Sequence, residues 1–133
     1  MLRVVIDTNV FVSAFLTGGA CVEVIQNWKK GKFILLVSQE ILEEILEVLS
    51  RPVIGAPASY ITRFKKLIER KAKMVKPYLR VQVARHQADN KFIECALGGK
   101  GGVIVSGDPH LQVIGTYQGI SIISPREFLY RLK

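Results

Sequence analysis

Two apolar runs in this chain each end at an aspartate, and that pair of acids is the first sign of chemistry. Leu2-Arg3-Val4-Val5-Ile6 leads into Asp7-Thr8-Asn9, and Val103-Ile104-Val105-Ser106 leads into Gly107-Asp108. Short β-branched runs of this kind predict buried strands of a parallel sheet. Ligands of open α/β sheets bind beyond the carboxyl ends of the strands, where both acids would stand. Carboxylates held side by side repel one another and shift each other's pKa unless a cation neutralises them. The two strand ends together therefore suggest a cation site. Each acid alone has a plainer use, because Asp7 could cap the helix after its strand and Ser-Gly-Asp-Pro is ordinary turn chemistry. Thr8 and Asn9 could cap that helix without Asp7, which favours the shared site. Ser106 could either cap or orient a carboxylate.

Two further acids come from helical periodicity. At 100° per residue, Ile41, Leu42, Ile45, Leu46, Val48 and Leu49 share one broad arc of the helix over 39–50. Glu44 lies about 40° from the edge of that arc, whereas Glu40, Glu43 and Glu47 face water. Glu44 is the one carboxylate of this helix that could reach inward, unless its stem packs while its head stays wet. On the helix over 89–97, Phe92, Ile93, Ala96 and Leu97 share a face, and Asp89 falls in line with it one turn upstream. An acid in line with the core is unusual unless it caps the helix or binds something. Lys91 and Glu94 point away from that face and read as surface.

The elements that must position these acids alternate along the chain. After the first strand, helices are predicted over 10–16 and 21–30, interrupted at Gly18-Gly19, followed by a strand over 33–37. Ser38 can cap the helix over 39–50, and Gly55-Ala56-Pro57 breaks the chain before a helix over 58–74. The stretch 75–83 is ambiguous, with Pro77 forbidding a simple helix. The helix over 89–97 stops at Gly98-Gly99. A strand at Val103, a short helix near His110 and a strand over 120–123 follow, and Ser124-Pro125-Arg126-Glu127 is a capping box for a last helix. This alternation predicts an α/β fold, a three-layer α/β/α sandwich around a central, mostly parallel sheet, with residues 1–133 as a single domain.

Composition narrows the class of partner. The chain has 133 residues, 49% of them hydrophobic, with 19 Lys+Arg against 11 Asp+Glu for a formal net charge of +8. Such an excess suits a polyanion, either nucleic acid or an acidic protein. Cys21 and Cys95 form no Cys-x-x-Cys pair and read as reduced, packed thiols. The first apolar run is broken by Asp7 and carries no cleavage pattern, and no stretch has the length of a membrane span, so a cytoplasmic location is expected.

Several other signals fail. Asp7-Thr8-Asn9-Val10 is close to the motif of phosphatases with an aspartate nucleophile, but those need a second Asp where Asn9 stands. Gly98-Gly99-Lys100-Gly101-Gly102 joins a helix to a strand, so it is a turn and not a phosphate loop. His86 and His110 are isolated, without zinc-like spacing.

Asp7-Thr8-Asn9, an inward Glu44, Asp89-Asn90-Lys91-Phe92 and Ser106-Gly107-Asp108 form an ordered set that resembles the PIN domain, a small α/β nuclease fold. The resemblance runs from Val4 to Leu132 and takes in Val37-Ser38-Gln39-Glu40 and Leu49-Ser50-Arg51-Pro52. These details are similar to the subgroup that serves as toxins of toxin–antitoxin pairs. Relatives often carry additional acids before the position of Asp89, where this chain has Arg85-His86-Gln87-Ala88.

The resemblance implies that Asp7, Glu44, Asp89 and Asp108 are catalytic acids holding one or two Mg²⁺ or Mn²⁺ ions, with Asn9 and Ser106 as supporting polar groups. It implies cleavage of single-stranded RNA, a protein antitoxin as partner, and a homodimer. Hard oxygen donors suit such ions independently of any family. With four acids gathered at the site, seven remain to set against 19 basic residues. Arg63, Lys65, Lys66, Arg70, Lys71 and Lys73 crowd one predicted helix, and Lys76, Arg80, Arg85 and Lys91 follow. Of these, Arg63, Lys66, Arg70, Lys73, Arg85 and Lys91 are expected to meet a nucleic-acid backbone. Two other readings stay open: a PIN-fold RNA-binding or interaction module with a degenerate metal site, and an α/β phosphohydrolase of small phosphate esters.

Overall fold

Asp7 and Asp108, the acids beyond two strand ends, are each followed at once by a helix, which helps to fix them in place. In the computed structural model, which describes all 133 residues, β1 (Arg3–Ile6) stops at Asp7 and α1 (Thr8–Leu16) begins at the next residue. After α2 (Ala20–Lys29) comes β2 (Ile34–Ser38), then α3 (Gln39–Ser50), whose first turn is capped by the Ser38 hydroxyl accepting from the Ile41 N–H at 3.2 Å. The chain continues through α4 (Ala58–Lys71), β3 (Lys73–Val75), a 3-10 turn over Gln87–Asp89 and α5 (Asn90–Gly98). It ends with β4 (Val103–Val105), α6 (Pro109–Gln112), β5 (Thr116–Tyr117), β6 (Ile120–Ile123) and α7 (Pro125–Leu132).

The six strands lie in the order β3-β2-β1-β4-β6-β5, all parallel except β5, which runs antiparallel to β6. From β1 the chain works outward through β2 to β3, returns to the other side of β1 at β4, passes to the edge at β5 and comes back to β6 between them. The reversal falls between β1 and β4, where Val4 pairs with Val103 and Ile6 with Val105. That is the topological switch point, the usual ligand position in such sheets. Val4, Val5 and Ile6, like Val103, Ile104 and Val105, are all buried. Because successive side chains point to opposite faces, both faces are covered, as the three-layer arrangement requires. α5 packs across β2, β1 and β4, α2 packs on α1 and α7, and α3 touches α1, α4 and α5. One apolar cluster runs from Val4 to Phe128, closed at its far end by an edge-to-face contact of Phe33 with Phe128 at 5.0 Å.

The structure departs from the sequence reading at several edges. The helix predicted to reach 74 stops at Lys71, where Ala72 turns extended, and Lys73–Val75 instead form β3 along the free edge of β2. The strand read as 33–37 runs one residue further, because Ser38 still pairs with Val75. α1 begins two residues before the predicted start, and the helix read as beginning at Asp89 is a 3-10 turn that becomes α-helix at Asn90. β5 has only two residues, returning to β6 through Gln118-Gly119, where φ is +48 and +81; Gly119 supplies the left-handed backbone that a tight hairpin needs.

The glycine stretch 98–102 is the helix-to-strand turn that the sequence predicts. Gly99 is required there for space, since a Cβ would sit 2.8 Å from both Leu36 Cδ1 and Val75 Cγ2. No single helix is long and apolar enough to cross a membrane.

Candidate functional site

The β1–α1 junction sets the first acid. The Asp7 N–H donates to the Val105 carbonyl at 2.9 Å, so the residue is still tied to the sheet when its side chain turns out of it. Asp7 is nonetheless only 5% exposed. Its Oδ1 accepts from the Asn9 N–H at 3.3 Å, and its Oδ2 accepts from the Ser106 hydroxyl at 2.7 Å. Asp7 therefore does cap α1, contrary to the expectation that Thr8 and Asn9 would relieve it of that task. Thr8 has other work, because its hydroxyl donates to Glu44 Oε1.

Ser106 joins the two strand ends. Its hydroxyl donates to Asp7 and accepts from the Asp108 N–H at 3.0 Å, so one buried side chain orients both acids. Asp108 caps α6 through the His110 N–H at 2.9 Å. Asp89, by contrast, makes no capping bond at the start of α5, although capping was the plain alternative for it.

The electrostatics show which acids face one another. Burial pushes the Asp7 carboxyl above the ordinary aspartate range; the bonds from Ser106 and Asn9 pull it back, and the charges of Asp89 and Glu44 raise it further. Asp89 is also raised, first by burial and then by Asp108, with Glu44 adding to the effect and Lys91 and His86 opposing it. Asp89 thus feels both Glu44 and Asp108, and Asp7 feels Asp89 and Glu44, linking acids from the ends of β1 and β4, from α3 and from the turn before α5. The structure places the four acids singled out in the sequence in one neighbourhood, without three of them converging on a point.

It does so with one addition. Lys91 was read as a surface residue and a nucleic-acid contact, yet it is only 7% exposed and its Nζ lies 2.7 Å from Glu44 Oε2. The same ammonium donates to the Ala88 carbonyl and lies 5.1 Å from the centre of the Phe92 ring. Both Glu44 oxygens are therefore engaged, one by Thr8 and the other by Lys91. Glu94, also read as surface, is buried and accepts from the Val81 N–H and from Arg80, each at 3.0 Å. Asn90 Oδ1 accepts from the N–H groups of Val83 and Ala84. The loop over 76–86 is thus pinned across α5, and it covers the helix face that periodicity assigned to water.

The two histidines are not isolated in space. His86 and His110 meet edge to face at 5.1 Å, and Arg85 lies within 3.3 Å of His110 Nδ1, beside Asp108. Spacing in sequence could not reveal this, because the contact joins the loop before α5 to the first turn of α6. Of the expected nucleic-acid contacts, Lys91 lies against Glu44, and Arg85 lies against His110, two residues after Asp108. Arg63, Lys66 and Arg70 are exposed on α4, and Lys73 on the edge strand β3. Asn9 is exposed and, with Gly107 and Asp108, lines a shallow groove of about 310 Å³. A separate polar cleft of about 600 Å³ is lined by Glu40, Arg80, Gln87, Ala88, Asn90 and Lys91.

No three of the acid side chains converge closely enough to hold an ion as they stand. The donor set nevertheless fits a hard divalent cation. Asp7, Asp89 and Asp108 offer oxygen only, they border one another, and two of them carry raised pKa values that a cation would relieve.

Comparison with known proteins agrees with this geometry. The model of the PIN domain family matches residues 3–110, a span that includes all four acids. Among curated proteins none matches the sequence. The fold is similar to the crystal structure of PAE2754 from Pyrobaculum aerophilum, with a TM-score of 0.63 at 16% identity over 99% of this chain and 89% of that one. It is also similar to a chain in the structure of VapBC2 from Rickettsia felis bound to a DNA fragment from their promoter, with a TM-score of 0.59 at 9% identity over 92% of this chain and 98% of that one. With four acids gathered at the switch point of its sheet and the family's model matching most of its length, this chain belongs to the PIN domain family.

Proposed function

We propose that the protein is a divalent-metal-dependent endoribonuclease that cuts single-stranded RNA and is held in check by a protein antitoxin. The observation that carries this reading is the buried Asp7, fixed by Ser106 and crowded by Asp89 and Glu44 at the β1/β4 switch point. PIN domains are generally nucleases. Capping α1 accounts for one oxygen of Asp7 but not for placing it among like charges at a ligand-binding position, which points to function.

Asp7, Asp89 and Asp108 are the residues that would hold Mg²⁺ or Mn²⁺. When bound, such an ion supplies the positive charge that activates water and steadies the oxygen leaving phosphorus. The chain supplies the rest. Ser106 holds Asp7 and the backbone of Asp108 in one geometry, so little reorganisation is needed when the scissile phosphate arrives. Arg85 and the two histidines border Asp108 and offer donors to a phosphate oxygen. The groove at Asn9, which Asp108 also lines, gives a single strand a place to lie against the acids. The exposed Arg63, Lys66, Arg70 and Lys73 add attraction for the backbone that is independent of sequence.

The antitoxin partner, a homodimeric state and a cytoplasmic location are part of the same proposal. The partner rests on the family resemblance and on the likeness to VapBC2, the homodimer on the resemblance alone, and the location on the sequence reading alone. The Lys91–Glu44 ion pair favours one second reading, a PIN-fold RNA-binding module without catalysis, since it already neutralises part of the acid group.

One experiment separates the two. A labelled single-stranded RNA is incubated with Mg²⁺ or Mn²⁺ and with wild type, Asp7→Asn or Asp108→Asn. Metal-dependent cutting that disappears in both variants supports the nuclease. RNA binding without cutting, unchanged in Asp7→Asn, supports the module.

A further inference from the structure

We propose that Lys91 is a resident cation of the acid group, standing beside Glu44 where a second divalent ion would otherwise bind, so that the centre takes up a single ion. This rests on the metal-dependent reading above and specifies its ion count and the role of one residue. Lysine is among the side chains least often buried without a partner. Here Lys91 is buried and fully engaged: Glu44 Oε2 lies 2.7 Å from its Nζ, the Ala88 carbonyl accepts from it, and the Phe92 ring lies beside it. Its charge also acts on Asp89, two residues earlier, and favours the ionised carboxylate there.

Glu44 has no oxygen left uncommitted, since Thr8 donates to one and Lys91 to the other. A dication at Glu44 would have to displace an ammonium already within ion-pair distance or accept its repulsion in a partly desolvated site. Four carboxylates with one ammonium and one divalent ion remain slightly anionic. A second divalent ion would turn the group cationic around a lysine that has nowhere to go, because Asn90 ties the start of its helix to the loop over 76–86. Asp7 and Asp108, whose bonds come from neutral donors, and Asp89, which makes no capping bond, are left for the ion. A lysine placed only for packing would make no difference to ion binding.

The test is the stoichiometry of Mn²⁺ binding by the full chain, measured by equilibrium dialysis without RNA, with folding checked by circular dichroism. Wild type, Lys91→Arg and Glu44→Gln are expected to bind one equivalent, and Lys91→Met two. Two equivalents on wild type would overturn the proposal, as would one equivalent on a folded Lys91→Met or loss of the ion in Glu44→Gln. If Lys91→Met does not fold, the wild-type and Glu44→Gln counts decide the matter. No ion bound by wild type would overturn the metal-dependent reading itself. One equivalent on both wild type and Lys91→Met would leave that reading standing and remove only this one.

Discussion

Asp7 and Glu94 are equally hidden, at 5% and 4% exposure, yet their surroundings are opposite in kind. Glu94 lies on the flank of α5 with a backbone N–H and an arginine aimed at it, so its charge is met by the chain's own donors. Asp7 also has donors, from Ser106 and Asn9, but its charged neighbours are Asp89 and Glu44. One acid holds a loop in place, whereas the other is left with negative charge to spare. Burial alone does not mark a functional acid; burial among like charges does.

The largest expected effect comes from Asp7→Asn. Its amide oxygen can keep one of the two accepted bonds, while cleavage should fall by at least about a hundredfold, the scale of losing an electrostatic stabiliser at a reacting centre. The same change should improve stability without metal. Asp7 and Asp89 both have folded-state pKa values raised above 3.8. The folded protein then binds their protons more tightly than the unfolded chain does. The stability they contribute is present in full below the unfolded value and is lost as pH climbs through the raised folded values. In chelator-treated protein, the stability difference between Asp7→Asn and wild type, measured by urea unfolding, should therefore grow from about pH 4 towards neutrality. A constant difference would mean that Asp7 is not strained.

Ser106→Ala should come next. It removes a donor from Asp7 and an acceptor from the Asp108 N–H, and a supporting bond of this kind is worth about 10- to 100-fold in metal affinity. Mn²⁺ titration reads it directly. Glu94→Ala is the control from the other region. It should cost about 1–3 kcal/mol by leaving the Val81 N–H without its acceptor, and leave the count of bound Mn²⁺ unchanged. Lost ion binding in a folded Glu94→Ala would erase the distinction drawn here. The smallest effect is expected from Arg63→Glu with Lys66→Glu on α4. RNA binding should weaken evenly across sequences, with a shallower dependence on salt and the cutting rate at saturation unchanged.

How much of this was legible in the sequence follows from which residues act locally. Asp7 and Asp108 could be read because each ends its own buried strand, and Glu44 and Asp89 because a helix imposes a period. Lys91 and Glu94 were misread by that same period, which assumes that the side of a helix away from the sheet is wet. α5 is covered there by the loop over 76–86, a segment too irregular to predict, and α3 packs against the same helix. The edge strands β3 and β5 were missed for a related reason. Lys73–Val75 has only Val75 buried and Thr116–Tyr117 is two residues long, so neither carries a pattern apart from the strand it pairs with. The meeting of His86 with His110 depends on tertiary structure alone.

The bond from Ser106 to Asp7 spans 99 residues, and this separation has a consequence for how the molecule is made. β1 can find β2 early, but its other edge has no partner until β4 has been synthesised. At about 5–20 residues per second, that leaves an apolar strand edge waiting for several seconds. Throughout that interval Asp7 lacks its orienting Ser106 hydroxyl, and Asp108 has yet to be made. The centre therefore cannot assemble until β4 and the residues just after it have emerged, and a fragment ending before Val103 can never complete it.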